Sequence, residues 1–134
     1  MPQNKFSALS LGRLQGCHID LFNLMHAVLE RQDITILCGH RGQAEQEAAF
    51  AAGNSKLHYP HGKHNAIPSK AVDIQPYPFS KDPKEQREQL IALSNIVSEE
   101  AARLQIPIRF GGDWDGNPNT PNKFDDLFHY EIKR

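Results

Sequence analysis

Two short segments of the sequence carry histidines and carboxylates at spacings that suit a metal site. Residues 63–73, KHNAIPSKAVD, place His64 ahead of Asp73, and residues 126–131, DLFHYE, place Asp126 three residues before His129. Two imidazoles and one carboxylate are a suitable ligand set for a catalytic zinc ion, because three protein ligands leave one position open for water. Asp126 would then be free to act as a base.

Each of these residues also has an ordinary structural explanation. Asp73 lies in an apolar run, where a carboxylate is costly unless an Arg, a Lys or a bound cation pairs with it. His58, His61 and His64 recur at every third position, so the loop could present any of them to a metal. His129 could be a half-buried side chain with a backbone hydrogen bond. The residues alone therefore leave both a His–Asp–His site and a purely structural role open.

Length and composition narrow the class of protein. We expect the 134 residues to form a single catalytic domain, residues 1–134, large enough to bury a core. The formal net charge of −1 gives no reason to expect a nucleic-acid partner. No apolar run is long enough for membrane insertion, and the first residues lack the apolar core of a secretory signal. We therefore expect a monomer that stays in the cytoplasm until it is released.

Periodic patterns predict the elements that would position the candidate site. Helices are predicted at residues 19–31, 43–52 and 83–104, and Asp20 is a candidate cap for the first of them. Short β-branched or alternating runs predict strands at residues 34–38, 70–75, 107–110 and 127–133. Residues 54–69 and 113–123 are predicted to be loops. Because the strands do not alternate regularly with helices, the pattern indicates an α+β fold with a small antiparallel sheet flanked by helices.

Four motifs in order carry a family resemblance. They are GHR at 39–41 with Gln46 downstream, HN…AVD at 64–73, GGDW at 111–114 and DLFHYE at 126–131. This order resembles the superfamily of zinc D-alanyl-D-alanine carboxypeptidases and L-alanyl-D-glutamate peptidases, whose fold the Hedgehog signalling domain shares. The chain most resembles the small phage endolysins of that superfamily, from about Leu21 to its C-terminus. The resemblance implies a Hedgehog/DD-peptidase-like fold.

The resemblance also implies a role for each residue of the site. The zinc ligands carry over to His64, Asp73 and His129, and the catalytic base carries over to Asp126. Arg41 matches an arginine that faces the substrate in relatives. The loop between the first two ligands departs from the common pattern, because eight residues intervene here where six are usual. This loop is similar to the longer loop found in a subset of the phage enzymes.

Three further side chains have alternative roles. Arg41 could stabilise the oxyanion of a tetrahedral intermediate or clamp a substrate carboxylate, and it could instead form a surface ion pair with Glu45 or Glu47. Trp114 could form a wall of the substrate cleft or pack in the core. Glu131 could hydrogen-bond to a ligand histidine.

The function implied is that of a zinc-dependent peptidoglycan endopeptidase from a phage. It would cleave the stem peptide between L-alanine and D-glutamate, because that cut detaches cross-links from the glycan. Trimming a terminal D-alanine, as the carboxypeptidases do, would leave the mesh intact. The alternatives are such a carboxypeptidase and a non-catalytic or tail-associated cell-wall-binding protein.

Overall fold

The protein has an α+β fold, as the sequence predicts. A computed structural model describes residues 4–53, 57–111 and 127–133. The helices are α1 (Ala8–Gln15), α2 (Ile19–Arg31), α3 (Gln43–Ala51) and α4 (Pro83–Leu104). The strands are β1 (Ile34–Cys38), β2 (Ala71–Pro76), β3 (Ile108–Phe110) and β4 (His129–Ile132). A 3₁₀ turn covers Lys63–Asn65. The predicted polar loop at 113–123 lies outside the described residues.

The four strands form one antiparallel sheet in the order β1–β2–β4–β3. Successive side chains of a strand point to opposite faces, so directly paired residues share a face. Val72, Tyr130 and Phe110 are paired across three strands, and all three are buried. Asp73 is paired with His129 and therefore lies on the other face. The sheet thus has a core face and a polar face.

The hydrophobic core lies between the core face of the sheet and three of the helices. Its members on α1, α2 and α4 are Leu14, Leu21, Leu24, Met25, Val28, Leu29, Leu93, Val97 and Ala101. Among the described residues, α3 contributes none to this core. The hydrophobic core therefore does not explain the position of α3. Contacts near the polar face of the sheet explain it instead.

Helix α2 begins differently from the sequence prediction. The sequence predicts Asp20 as the cap, but the N-cap residue is His18, whose Nδ1 accepts a hydrogen bond from the Asp20 backbone N–H at 3.0 Å. The imidazole satisfies one of the N–H groups that a helix start leaves without a partner. Asp20 lies in the first turn, where its negative charge suits the positive end of the helix dipole. The prediction that Asp20 caps the helix is wrong for this reason.

Helix α4 starts with a side-chain cap followed by a proline. Asp82 accepts a hydrogen bond from the backbone N–H of Lys84 at 3.1 Å, and Pro83 follows at the first helical position. Both features are favourable at a helix N-terminus. Across the described ranges, no helix combines the length and the apolar character needed to cross a membrane.

Candidate metal centre

Three strands bring Cys38, Asp73 and His129 side by side on the polar face of the sheet. The register of β1 against β2 shifts after Ile36, so that Ile36 pairs with Ile74 but Cys38 pairs with Asp73. Because adjacent residues of a strand point to opposite faces, this shift turns Cys38 away from the core and towards Asp73. Irregularities of this kind often re-aim a side chain beside a functional site.

The carboxylate of Asp73 is the centre of the cluster. Its Oδ1 lies 3.2 Å from Nε2 of His64 and 3.0 Å from Nδ1 of His129. The two imidazole rings meet edge to face, with centroids 5.1 Å apart. Both histidines are buried, with 4% and 8% of their surface exposed. The structure therefore brings together His64, Asp73 and His129, which the sequence predicts as metal ligands.

The remaining nitrogen of each ring has an acceptor of its own. His64 Nδ1 lies 2.7 Å from the carbonyl oxygen of Gly39, and His129 Nε2 lies 2.9 Å from Oε1 of Glu131. Metal-binding histidines usually donate their second N–H to a carbonyl or a carboxylate in this way, which fixes the tautomer and the ring orientation. The two nitrogens that would be left as ligands are the two that face Asp73. This donor set fits a zinc ion.

The electrostatics of the cluster favour positive charge at its centre. Burial opposes ionisation of Asp73, but hydrogen bonds from His129 and His64 outweigh it and hold the pKa of the carboxyl well below its usual value. Burial would lower the pKa of His64, but its hydrogen bonds to and charge attraction with Asp73 and Cys38 together outweigh this and raise that pKa to about 10. The pKa of His129 is likewise raised against burial by Asp73 and Glu131. A bound cation would take the place of these protons.

Cys38 belongs to a second set of atoms that could hold a metal. Its thiol, His64 and Asp73 offer ligand atoms that lie within 4.8 Å of one another. The ring nitrogen next to the thiol is His64 Nδ1, at 3.8 Å, and this nitrogen is the one bonded to the carbonyl of Gly39. We therefore favour the set His64, Asp73 and His129. Sequence analysis missed Cys38 because its approach depends on the register shift in β1.

Arg41 lies beside the carboxylate of Asp73, at the oxygen that the histidines do not contact. Its Nη2 is 3.6 Å from Oδ2 of Asp73 and 3.7 Å from the sulfur of Cys38. Its side chain is 15% exposed. The alternative considered from the sequence was a surface ion pair of Arg41 with Glu45 or Glu47. In the structure, Arg41 pairs with Asp73 instead. Arg41 therefore places a fixed positive charge at the edge of the candidate metal centre.

The other two histidines of the loop, His58 and His61, do not belong to this cluster. His58 Nδ1 is 2.7 Å from Oε2 of Glu47, and its ring packs on Phe50 with centroids 3.7 Å apart. The hydrogen bonds that Glu47 makes with His58 and with the backbone of Tyr59 lower the pKa of its carboxyl. The side chain of His61 is exposed. Two other candidates, Asp126 and Trp114, lie outside the described residues.

Comparison with known proteins identifies the family. The sequence profile described as phage L-alanyl-D-glutamate peptidase matches residues 3–132.

The chain belongs to this family. Curated proteins give no significant match. Among solved structures, the crystal structure of the L-Ala D-Glu endopeptidase ChiX of Serratia marcescens matches with a TM-score of 0.71 and 23% sequence identity. The match covers 95% of this chain and 88% of that chain. At this identity the likeness shows a shared fold, and it confirms the fold class predicted from the motifs.

In this family member, an ion pair between buried Glu131 and half-buried Lys63 supports His129. Glu131 accepts from His129 with Oε1, and its Oε2 lies 3.2 Å from Nζ of Lys63. The same Nζ donates to the carbonyl oxygen of Ile132 at 2.6 Å. Burial opposes ionisation of Glu131, but its interactions with His129 and Lys63 together outweigh burial and lower the pKa of the carboxyl. The role suggested for Glu131, a hydrogen-bond partner of a ligand histidine, agrees with this geometry.

Replacing Glu131 by Gln should weaken metal binding without unfolding the protein. Glutamine can still accept from His129 but lacks the charge that makes the imidazole a better donor to a metal, so we expect about a tenfold loss of zinc affinity. Competition with a chromophoric chelator measures this affinity. Glu99→Gln is the matched control, because Glu99 pairs with Arg31 on the helical side of the protein. Equal zinc affinity in Glu131→Gln and the parent would remove Glu131 from the metal centre.

Replacing Gly39 by Ala should destabilise the protein and disturb His64 together. A Cβ at this position would lie 2.2 Å from the carbonyl oxygen of Arg13 and 3.0 Å from the sulfur of Cys17. The backbone must move, and with it the carbonyl that orients His64. Thermal unfolding should show a cost of about 1–3 kcal/mol, typical of overpacking. Gly12→Ala is the control, because its Cβ meets no atom within 4 Å and alanine favours the helix. A Gly39→Ala variant as stable as the parent would contradict the packing described.

Proposed function

We propose that the protein is a zinc-dependent peptidoglycan endopeptidase that cleaves the stem peptide between L-alanine and D-glutamate. One observation carries the proposal: in a chain of this family, His64 Nε2 and His129 Nδ1 converge on the same oxygen of Asp73. An ordinary buried ion pair needs one imidazole, and a second one adds the cost of burying another polar ring. Two oriented imidazoles around one carboxylate are better explained as metal ligands.

His64, Asp73 and His129 would hold the zinc ion. When bound, zinc supplies a Lewis acid that polarises the scissile carbonyl and makes water acidic near neutral pH. The protein's own contribution is to fix these three ligands from the 3₁₀ turn, β2 and β4. Gly39 and Glu131 orient the two rings. The mutual hydrogen bonds of the cluster keep Asp73 ionised, so a negative charge is ready for the cation.

Asp126 is proposed as the general base and acid. It would take the proton of the attacking water and pass it to the nitrogen of the leaving D-glutamate. A carboxylate that is not itself a ligand suits both transfers, because it can be protonated without releasing the metal. The sequence places it three residues before His129, the first residue of β4.

Arg41 is proposed to face the substrate. Its guanidinium is a permanent positive charge beside Asp73, and it could stabilise the developing oxyanion or bind a carboxylate of the peptide. The D-glutamate residue of the stem peptide offers such a carboxylate next to the scissile bond. Trp114 is proposed to form a wall of the same cleft.

Mass spectrometry of digested muropeptides tests the proposed bond. Incubation of a disaccharide-tetrapeptide with the protein should give a disaccharide bearing a single L-alanine and a free peptide that starts at D-glutamate. A disaccharide-pentapeptide should give the same internal cut. Loss of only one D-alanine from the pentapeptide would make the protein a carboxypeptidase instead. An intact substrate in both digests, with zinc bound to the protein, would leave a wall-binding role.

A further inference from the structure

We propose that Gln46 is a positioning residue that holds the guanidinium of Arg41 at the metal centre. The inference rests on the proposed function, because Arg41 is taken to face the substrate in that reaction. It assigns a role to a helix that the hydrophobic core does not explain.

Gln46 attaches α3 to the segments around the candidate metal centre. Only 1% of its surface is exposed, and it is the buried residue of that helix. A buried amide is costly unless its polar atoms are hydrogen-bonded. Since α3 places no apolar side chain in the core among the described residues, burial of an amide at its centre indicates a specific polar role.

The amide of Gln46 connects three separate segments. Its Oε1 accepts from Nη1 of Arg41 at 3.1 Å and from Nδ2 of Asn65 at 3.2 Å. Its Nε2 donates to the carbonyl oxygen of Leu57 at 2.6 Å. Arg41 follows β1, whereas Asn65 belongs to the 3₁₀ turn that carries His64. One side chain therefore joins the arginine to the loop that presents the first metal ligand.

Asn65 completes the attachment of Arg41. Its Nδ2 also donates to the carbonyl oxygen of Arg41 at 2.8 Å, and the backbone N–H of Arg41 donates to the carbonyl of His64 at 2.8 Å. A Cβ on Gly62 would lie 2.9 Å from Oδ1 of Asn65 and 3.1 Å from Oε1 of Gln46. The amides are thus closely packed, and both the main chain and the side chain of Arg41 are fixed.

The geometry gives Gln46 a direct effect on the charge at the site. With Nη1 bonded to Gln46, Nη2 of Arg41 is directed to Oδ2 of Asp73. Without that bond, the guanidinium could rotate away from the carboxylate. Groups that stabilise a transition state act best when they are already in place, and a misplacement of about 1 Å can cost about a hundredfold in rate.

The test compares Gln46→Met with Gln89→Met in zinc-loaded protein. Gln89 is a suitable control because its side-chain amide also makes two hydrogen bonds to the backbone. Its Nε2 donates to the carbonyl of Pro78, and its Oε1 accepts from the N–H of Ser80. It lies on α4, away from the site. We expect Gln46→Met to lower kcat/KM about tenfold or more with one zinc retained. Gln89→Met should lower the melting temperature only. Gln46→Glu keeps an acceptor for Arg41 but loses the donor to the carbonyl of Leu57, so it should be less stable than the parent while its kcat/KM stays above that of Gln46→Met.

A double-mutant cycle separates positioning from a general structural effect. Once Arg41 has been replaced by Met, Gln46→Met should cost little further activity, because the two residues act through one interaction. An equal loss in both backgrounds, a loss that follows zinc content, or unchanged kcat/KM in Gln46→Met would overturn the proposal.

A second measurement does not depend on turnover. In NMR relaxation, the side-chain Nε of Arg41 should become more mobile in Gln46→Met and stay unchanged in Gln89→Met, and equal mobility in both would overturn the proposal. If the parent protein cleaves no muropeptide while Arg41 responds in this way, the proposed function fails and the positioning role stands.

Discussion

Replacing Asp126 by Ala is expected to remove most of the peptidase activity while the protein stays folded and keeps its zinc. A general base contributes roughly a hundredfold or more to a hydrolysis, so kcat should fall by at least about that factor. The metal should remain, because the proposed ligands His64, Asp73 and His129 are unchanged. Cleavage of a disaccharide-tetrapeptide gives the rate, and elemental analysis of the same sample gives the zinc content.

Asp125→Ala is the matched control for this prediction. Asp125 is the preceding residue, so its replacement removes the same charge from the same segment. We expect it to retain activity within a few-fold of the parent. Equal activity in Asp126→Ala and the parent would take Asp126 out of the mechanism, and loss of zinc together with activity would make it a ligand.

Replacing Asp73 by Ala should abolish zinc binding and activity together. Its Oδ1 is the contact shared by both histidines, so its loss removes the only negative charge proposed for the first coordination sphere and leaves two imidazoles without their common partner. Elemental analysis should show far less than one zinc per chain. Because zinc binds the folded state, added zinc should raise the melting temperature of the parent but not of this variant.

Asp82→Ala is the control for loss of a carboxylate in general. Asp82 caps α4, so its replacement should cost about 1 kcal/mol of stability and leave zinc binding intact. Among the histidines, His64→Ala should lose zinc, whereas His58→Ala and His61→Ala should keep it. Full zinc content in His64→Ala combined with loss in His61→Ala would show that the loop presents a different ligand.

The sequence predicts α2, α3, α4 and the four strands of the described sheet, because these elements follow simple patterns, but it does not predict α1. The residues of α2 recur at helical spacing, and the β-branched run of β1 is short and bounded by a glycine. The cap of α2 could not be predicted from propensity. An aspartate is the usual choice, and His18 takes its place through a ring nitrogen whose direction depends on the backbone before the helix.

The site is only partly visible in the sequence, because its geometry depends on contacts between distant segments. A carboxylate in an apolar strand already suggests a cation or a partner for Asp73. Spacing alone does not distinguish His64 from His58 and His61 as the metal ligand. The contact that orients His64 is made with the carbonyl of Gly39, which is twenty-five residues away in the sequence. The family resemblance supplied that choice.

Other features of the site have no local sequence signal. The approach of Cys38 to Asp73 depends on a register shift between β1 and β2, and hydrophobic alternation does not reveal such a shift. The burial of Gln46 is equally hidden, because the Ala, Glu and Gln residues of α3 predict a helix but do not indicate which side chain is buried. Only the contacts with Arg41 and Asn65 show why that amide is buried.

A zinc titration tests the central claim most directly. The protein is stripped of metal with a chelator, zinc is returned in known amounts, and release of the peptide that starts at D-glutamate is followed by mass spectrometry. We predict no release without zinc, a rise in proportion to added zinc, and a plateau at about one zinc per chain. Full cleavage by the metal-free protein, or no cleavage at one bound zinc per chain, would contradict the account.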